Sequence, residues 1–235
     1  MTSYATGSFV SARMERLCRN CVRSVAVDGG SVALVSTQGS RVALGATDTM
    51  AAELEEIQMT LGEGPYLDAA ASLSPVQVHN FADPATDTAE RWPFLAKEMA
   101  RLDVCALFGF PVSLGDVPVG TIGLYRRKPG ALSTAQLGAA LTAVEDIADS
   151  LVDQDTWTEV ASRPSSGQDP PVSLVAGTAI VHQAAGMTMI QLDVSIEEAM
   201  ALMRATAYAE GMALPDLARE VVERRLRLGK DDSHE

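Results

Sequence analysis

The 235-residue chain is short of aromatic side chains, cysteine and positive charge. Aromatic residues make up 5% of it, which leaves few rings to stack on a planar prosthetic group. The three cysteines, Cys18, Cys21 and Cys105, are an odd number with no secretory leader beside them, which fits free thiols in a reducing compartment. Eighteen Lys and Arg stand against 31 Asp and Glu, a net charge of −13. So acidic a chain lacks the cationic surface whose counterion release drives non-specific nucleic-acid affinity. No uninterrupted apolar run reaches the roughly 18 residues of a spanning helix. Residues 1–11 have neither the basic flank nor the apolar core of a signal peptide. A cytoplasmic protein with no membrane partner is the expectation. Catalytic signatures are missing as well: there is no G-x-x-x-x-G-K-[ST] phosphate loop and no G-x-S-x-G elbow. Cys18-Arg-Asn-Cys21 has no second pair to complete a zinc site, and His79 and His182 each stand alone. No metal, no catalytic residue and no enzymatic activity are therefore expected. Met14, Leu17, Cys18, Cys21 and Val25 share one helical face, which reads as core thiols rather than as a redox switch.

What is present is globular, with 47% hydrophobic and 21% charged residues. A helix is expected from about Ser8 to Val25, ending before the turn Asp28-Gly-Gly30. Ser31–Ser36 and Arg41–Gly45 read as a hairpin around Thr37-Gln-Gly-Ser40. Asp48 can cap a helix running to about Met59. A tight loop at Gly62-Glu-Gly-Pro-Tyr66 precedes a short helix to Ala71, and Pro75–His79 alternates like a strand. Arg91-Trp-Pro-Phe94 opens a helix to about Leu102. Val104–Leu114 and Val117–Arg126 form two long strands about Gly115-Asp116, with Val117 and Val119 on one face and Ile122 and Leu124 on the other. Helices interleaved with antiparallel strands make this an α+β domain around one sheet.

Leu61-Gly-Glu-Gly-Pro-Tyr66 with Asp68-Ala69 resembles a pattern of GAF domains placed before ANTAR domains, and the domain, residues 7–155, is similar to a GAF sensor module with an antiparallel sheet and flanking helices. Cys often stands in the family where this chain has Tyr66, so ligand chemistry on that thiol is absent here. The resemblance implies a pocket between sheet and helices, with Tyr66, Trp92, Phe94, Phe108 and Phe110 as lining residues. Ordinary core is the competing reading of these rings. No cofactor is expected; an unidentified small molecule is the only ligand that the resemblance implies.

Ser133 can cap a long helix, Thr134 to about Glu159. Leu137, Leu141, Val144, Ala148 and Leu151 repeat at 4-3-4-3 spacing, a coiled-coil-like seam, while Ala140 and Ile147 begin a second stripe. Two stripes ask for two partners, one of them the same helix in a second chain, so a homodimer is expected. Residues 156–171, with Ser162-Arg-Pro-Ser-Ser-Gly-Gln-Asp-Pro-Pro171, read as a linker.

Residues 172–230 then read as an all-α, three-helix unit. The first helix passes through Leu174–Leu192 and places Ile180, Ala184 and Met187 together. The second opens on the capping box Ser195–Glu198, carries Ala199, Leu202, Met203 and Thr206, and stops at Gly211. The third starts at Pro215, with Leu217, Ala218, Val221, Val222 and Leu226 as its apolar stripe. Gln183-Ala-Ala-Gly-Met187, Glu198-Ala199, Leu202-Met203-Arg204 and Leu217-Ala-Arg-Glu-Val221-Val222 keep the order and spacing of the ANTAR domain, which the unit resembles. That resemblance implies binding to paired stem-loops in nascent RNA and relief of transcription termination, with no DNA partner. His182, Gln183 and Gly186, Arg204 and Tyr208, and Arg219 and Arg224 are the residues expected to meet RNA. The chain departs from the family at Ala185, where Lys is common, and in the uncharged run Thr188-Met-Ile-Gln191.

The unit itself is acidic, with 6 Lys and Arg against 10 Asp and Glu in residues 172–235, a net of −4. Its cations gather at Arg219, Arg224, Arg225, Arg227 and Lys230, where helical spacing would pair Glu220 with Arg224 and Arg219 with Glu223. RNA recognition by such a surface would rest on hairpin shape and splayed bases more than on bulk charge. The rival reading is a protein-interaction adaptor that carries a sensor module; a small-molecule-modifying enzyme is a weaker third.

Overall fold

The computed structural model describes residues 12–35, 41–114, 117–152 and 171–229. The first unit is a five-stranded antiparallel sheet in the order β2-β1-β5-β4-β3, built from β1 Gly29–Val35, β2 Arg41–Ala46, β3 Val76–Val78, β4 Ala106–Leu114 and β5 Val117–Arg126. Period-two alternation sends successive side chains to opposite faces, and helices cover both.

On one face lie α1 Ala12–Val25 and α6 Thr134–Val152. Phe108, Phe110, Val112, Ile122 and Leu124 from the two central strands pack there with Met14, Cys18, Cys21, Ala140 and Ile147. Both sulfurs of Cys18-Arg-Asn-Cys21 are thus in the core, where burial pushes the thiol of Cys21 up to about 12 and that of Cys18 higher still. On the other face lie α2 Thr49–Leu61, α3 Pro65–Ser72 and α5 Pro93–Leu102, preceded by the single turn α4 Thr88–Arg91. Leu54, Tyr66, Trp92, Leu95, Met99, Leu107 and Tyr125 form that core.

One face assignment from the sequence needs correction. Val119 packs with Ile122 and Leu124, not opposite them. The ladder pairs Val112 with Gly120 but Ser113 with Pro118, so Val119 is an extra residue on β5, and this bulge shifts the alternation by one.

The stripe on α6 that faces the sheet is Ala140, Ala143, Ile147 and Leu151. Of the seam expected to dimerise, Leu151 is buried in this core, Leu137, Val144 and Ala148 lie against its edge, and Leu141 is 42% exposed. The expected run of the helix beyond Val152 to Glu159, residues 7–11 and 153–155 at the expected edges of the sensor domain, and the linker up to residue 170 lie outside the described residues.

The second unit comprises α7 Pro171–Leu192, α8 Ile196–Ala209 and α9 Leu214–Val222. Val181, Ala184, Ala185, Met203, Ala207, Leu214, Leu217, Ala218 and Val221 make its core. The capping box forms as expected: Glu198 N donates to Ser195 Oγ at 3.1 Å, and Ser195 N donates to Glu198 Oε2 at 2.8 Å. Gly211 takes φ +62 just after α8. Among the described residues, no helix is long and apolar enough to cross a membrane.

Candidate RNA-binding face and the loop that meets it

The two units meet where α2, the loop 61–66 and the start of α5 face α8 and α9, and α7 also lies against β2. Gly62 ends α2 with φ +71, a left-handed cap that an L side chain resists, and its N–H donates to Gln58 O at 2.8 Å. The Glu63 carboxylate crosses to the start of α5, where its Oε1 accepts from Phe94 N and Leu95 N at 2.8 Å each. It supplies the side-chain cap that Trp92, at the N-cap position, does not. Gly64, at φ +134, starts α3; a Cβ there would lie 2.3 Å from Gln58 Oε1, the atom that accepts from Tyr66 N at 3.0 Å. Pro65 takes the first turn of α3, where its missing N–H has no consequence.

Tyr66 completes the loop. Gly109 and Gly123 oppose each other across β4 and β5, and α3 sits in the depression that the pair leaves. A Cβ at Gly109 would fall 2.4 Å from Pro65 O, and one at Gly123 would fall 2.4 Å from the Tyr66 ring. The buried Tyr66 hydroxyl donates to Leu124 O at 3.2 Å.

The five aromatic residues expected to line one pocket are not brought together. Tyr66 and Trp92 lie on the α2–α3–α5 face of the sheet, whereas Phe108 and Phe110 point to the α1–α6 face. Strand alternation is the reason: residues 108 and 110 share one side of β4, and Leu107 and Gly109 have the other. Phe94 is 46% exposed at the start of α5.

Phe94 meets the second unit. Its ring lies edge-on to that of Tyr208, with centroids 5.5 Å apart and planes at 67°. One turn earlier on α8, the Arg204 guanidinium rests on Gly62, close enough that a Cβ there would come within 2.8 Å of Nη1. Arg204 Nε is buried with no hydrogen-bond partner, and desolvation lowers the pKa of the group. Leu214 N, at the start of α9, donates to Thr60 Oγ1 at 3.4 Å.

The other residues expected to contact RNA belong to α7 and to the end of α9. Gln183 is exposed, and His182 and Gly186 are half-buried. A Cβ at Gly186 would meet nothing within 4 Å, so helix packing does not require glycine there. Arg219 and Arg224 are exposed. The ion pairs expected on α9 are replaced by others: Arg219 Nη1 lies 2.7 Å from Asp216 Oδ1, and Arg225 reaches both Glu220 and Glu223. The helix ends at Val222 and Arg224 turns to φ +60, which takes it out of register with Glu220 and brings Arg225 round instead. Arg224 has no ion pair among the described residues. Sequence reasoning missed Thr60, Glu63 and the pairing of Phe94 with Tyr208. The one signal was an aromatic residue at the polar, N-terminal end of a helix, where no core needs it.

Residues 9–152, more than half of the chain, match the model of the GAF domain. The chain belongs to the GAF domain family. Residues 175–222 match the ANTAR domain, so the GAF domain is followed by an ANTAR domain in the same chain. No curated protein matches. Solved structures similar to the GAF domain include GAF3 of Slr1393 from Synechocystis sp. PCC6803 in its photoproduct state, at 13% identity and TM-score 0.49, covering 66% of this chain and 99% of that one. A GAF domain/HD domain protein from Geobacter sulfurreducens is 15% identical, with TM-score 0.46 and coverages of 62% and 92%. The GAF domain of a two-component sensor histidine kinase from Bacillus halodurans is 12% identical, with TM-score 0.44 and coverages of 63% and 99%. The family assignment stands on the sequence match over residues 9–152 and not on these likenesses. A GAF sensor domain joined to an ANTAR RNA-binding domain is the make-up of a sensory regulator of the ANTAR type.

Proposed function

We propose that the protein is a cytoplasmic transcription antitermination regulator: a homodimer whose GAF domain takes a small-molecule or partner signal and whose ANTAR domains bind paired stem-loops in a nascent transcript. The observation that carries this reading is the match of residues 175–222 to the ANTAR domain, on a unit whose exposed polar positions include Gln183, Arg219 and Arg224. Arg219 and Arg224 are assigned to phosphate, and Gln183 and His182 to the loop bases, with the open Gly186 backbone letting RNA approach α7. Arg204 and Tyr208 add a phosphate contact and a ring on which a splayed base can stack. Homodimerisation is assigned to α6 through Leu137, Leu141, Val144 and Ala148, with Leu151 serving the domain's own core.

The test is a titration of the purified protein with a pool of RNAs that carry two stem-loops with randomised loops. Saturable binding that weakens at least tenfold in the Arg219→Ala/Arg224→Ala double variant supports the reading; two phosphate contacts of about 1 kcal/mol each account for that factor. Binding that ignores these substitutions removes α9 from the interface.

A second reading, the protein-interaction adaptor, has one observation in its favour. Ile190, 78% exposed, and Ile196 lie at the α7–α8 corner as bare apolar surface. Indifference to every stem-loop in the same titration would favour it.

A further inference from the structure

We propose that Gly62 and Phe94 of the GAF domain form an autoinhibitory clamp on α8, holding Arg204 and Tyr208 in a closed state that must open for RNA to be gripped fully. The inference rests on the reading of α8 as an RNA-contact element. The side chains of α8 assigned to RNA are the ones that meet the sensor: Arg204 lies on Gly62, and Tyr208 lies against Phe94. A guanidinium pressed on a backbone cap cannot at the same time hold a phosphate, and a ring packed edge-on against another cannot at the same time receive a base.

The clamp keeps Leu214 N on Thr60 Oγ1 at 3.4 Å and leaves the Phe94–Tyr208 pair partly exposed, with Tyr208 at 39%. It also leaves the buried Arg204 Nε without an acceptor. An RNA phosphate would supply that acceptor, so RNA interacts differently with the open and closed states, the condition for a ligand to shift an equilibrium. The sensor can act on the same equilibrium. Glu63 ties the Gly62 loop to the backbone of Phe94, and Tyr66 ties its other end to β5, so a movement of α3 or of the sheet beneath it reaches both halves of the seat.

Phe94→Ala in the full chain tests this, because Phe94 is exposed, belongs to the sensor domain and is no part of the proposed RNA face. Two quantities are followed: hydrogen exchange at Leu214 N–H, which reports docking, and affinity for the pool of two-stem-loop RNAs. The expected result is faster exchange at Leu214 together with RNA binding about three- to tenfold tighter, the range that one edge-to-face aromatic pair supplies. Unchanged exchange would show that the ring does not hold α8 and overturn the clamp. Faster exchange with unchanged RNA affinity would overturn it too, while leaving RNA binding intact. If neither the parent nor the opened variant binds any stem-loop RNA, the RNA reading fails and the clamp falls with it.

Discussion

Gly62 and Gly64 bracket Glu63 with positive φ on either side, the first left-handed and the second extended, and this lets one carboxylate leave the end of α2 and cap α5. The Tyr66 hydroxyl, two residues on, makes a polar link between α3 and the sheet. Tyr66→Phe keeps the packing against Gly123 but removes the donor to Leu124 O, and should lower stability by about 1 kcal/mol, read as a lower urea midpoint at unchanged slope. The buried thiols of α1 make a second prediction at this scale. Burial raises both above the ordinary 9.0, Cys21 to about 12. The unfolded chain therefore gives up these protons first: stability from the thiols is complete below pH 9 and is lost as pH rises from 9 towards 12, by up to ~1.4 kcal/mol per pH unit for each thiol. The Cys18→Ala/Cys21→Ala variant should show a shallower alkaline decline of the urea midpoint than the parent; equal slopes would mean that the thiols are not held protonated by the fold.

At the scale of elements, α6 carries two adjacent stripes. Ala140, Ala143 and Ile147 belong to the sheet, and Leu137, Val144 and Ala148 lie along its outer edge beside the exposed Leu141. Leu141→Arg changes only the exposed stripe, so it should turn the proposed dimer into a monomer in sedimentation without moving the thermal midpoint by more than about 2 °C, as befits a surface substitution. Persistence of the dimer would move the interface elsewhere. Periodicity and caps made α1, α2, α6, α8 and the two long strands legible, α8 through the capping box at Ser195 and the stop at Gly211. The face of Val119 was not legible, since a bulge depends on the partner strand. Nor were the ion pairs of α9, since the spacing rule assumes a helix that continues past Val222. The candidate pocket failed in another way: hydrophobicity says that a ring is buried but not on which side of the sheet.

For the molecule as a whole, the proposed RNA face is divided between what is open and what is covered. Gln183, Arg219 and Arg224 are exposed, while Arg204 and Tyr208 are shared with the sensor. Local sequence could nominate all of these but could not show the contact, because docking joins positions more than a hundred residues apart. The overall charge of −13 makes recognition depend on a few placed cations and not on a general field. Salt dependence measures how many. With Arg204, Arg219 and Arg224 as the phosphate contacts, the logarithm of the affinity for a two-stem-loop RNA should fall against the logarithm of salt concentration with a slope of about −2 to −3. Saturable binding with that slope is the predicted result; failure of every stem-loop RNA to bind saturably, at any salt concentration, would contradict the account.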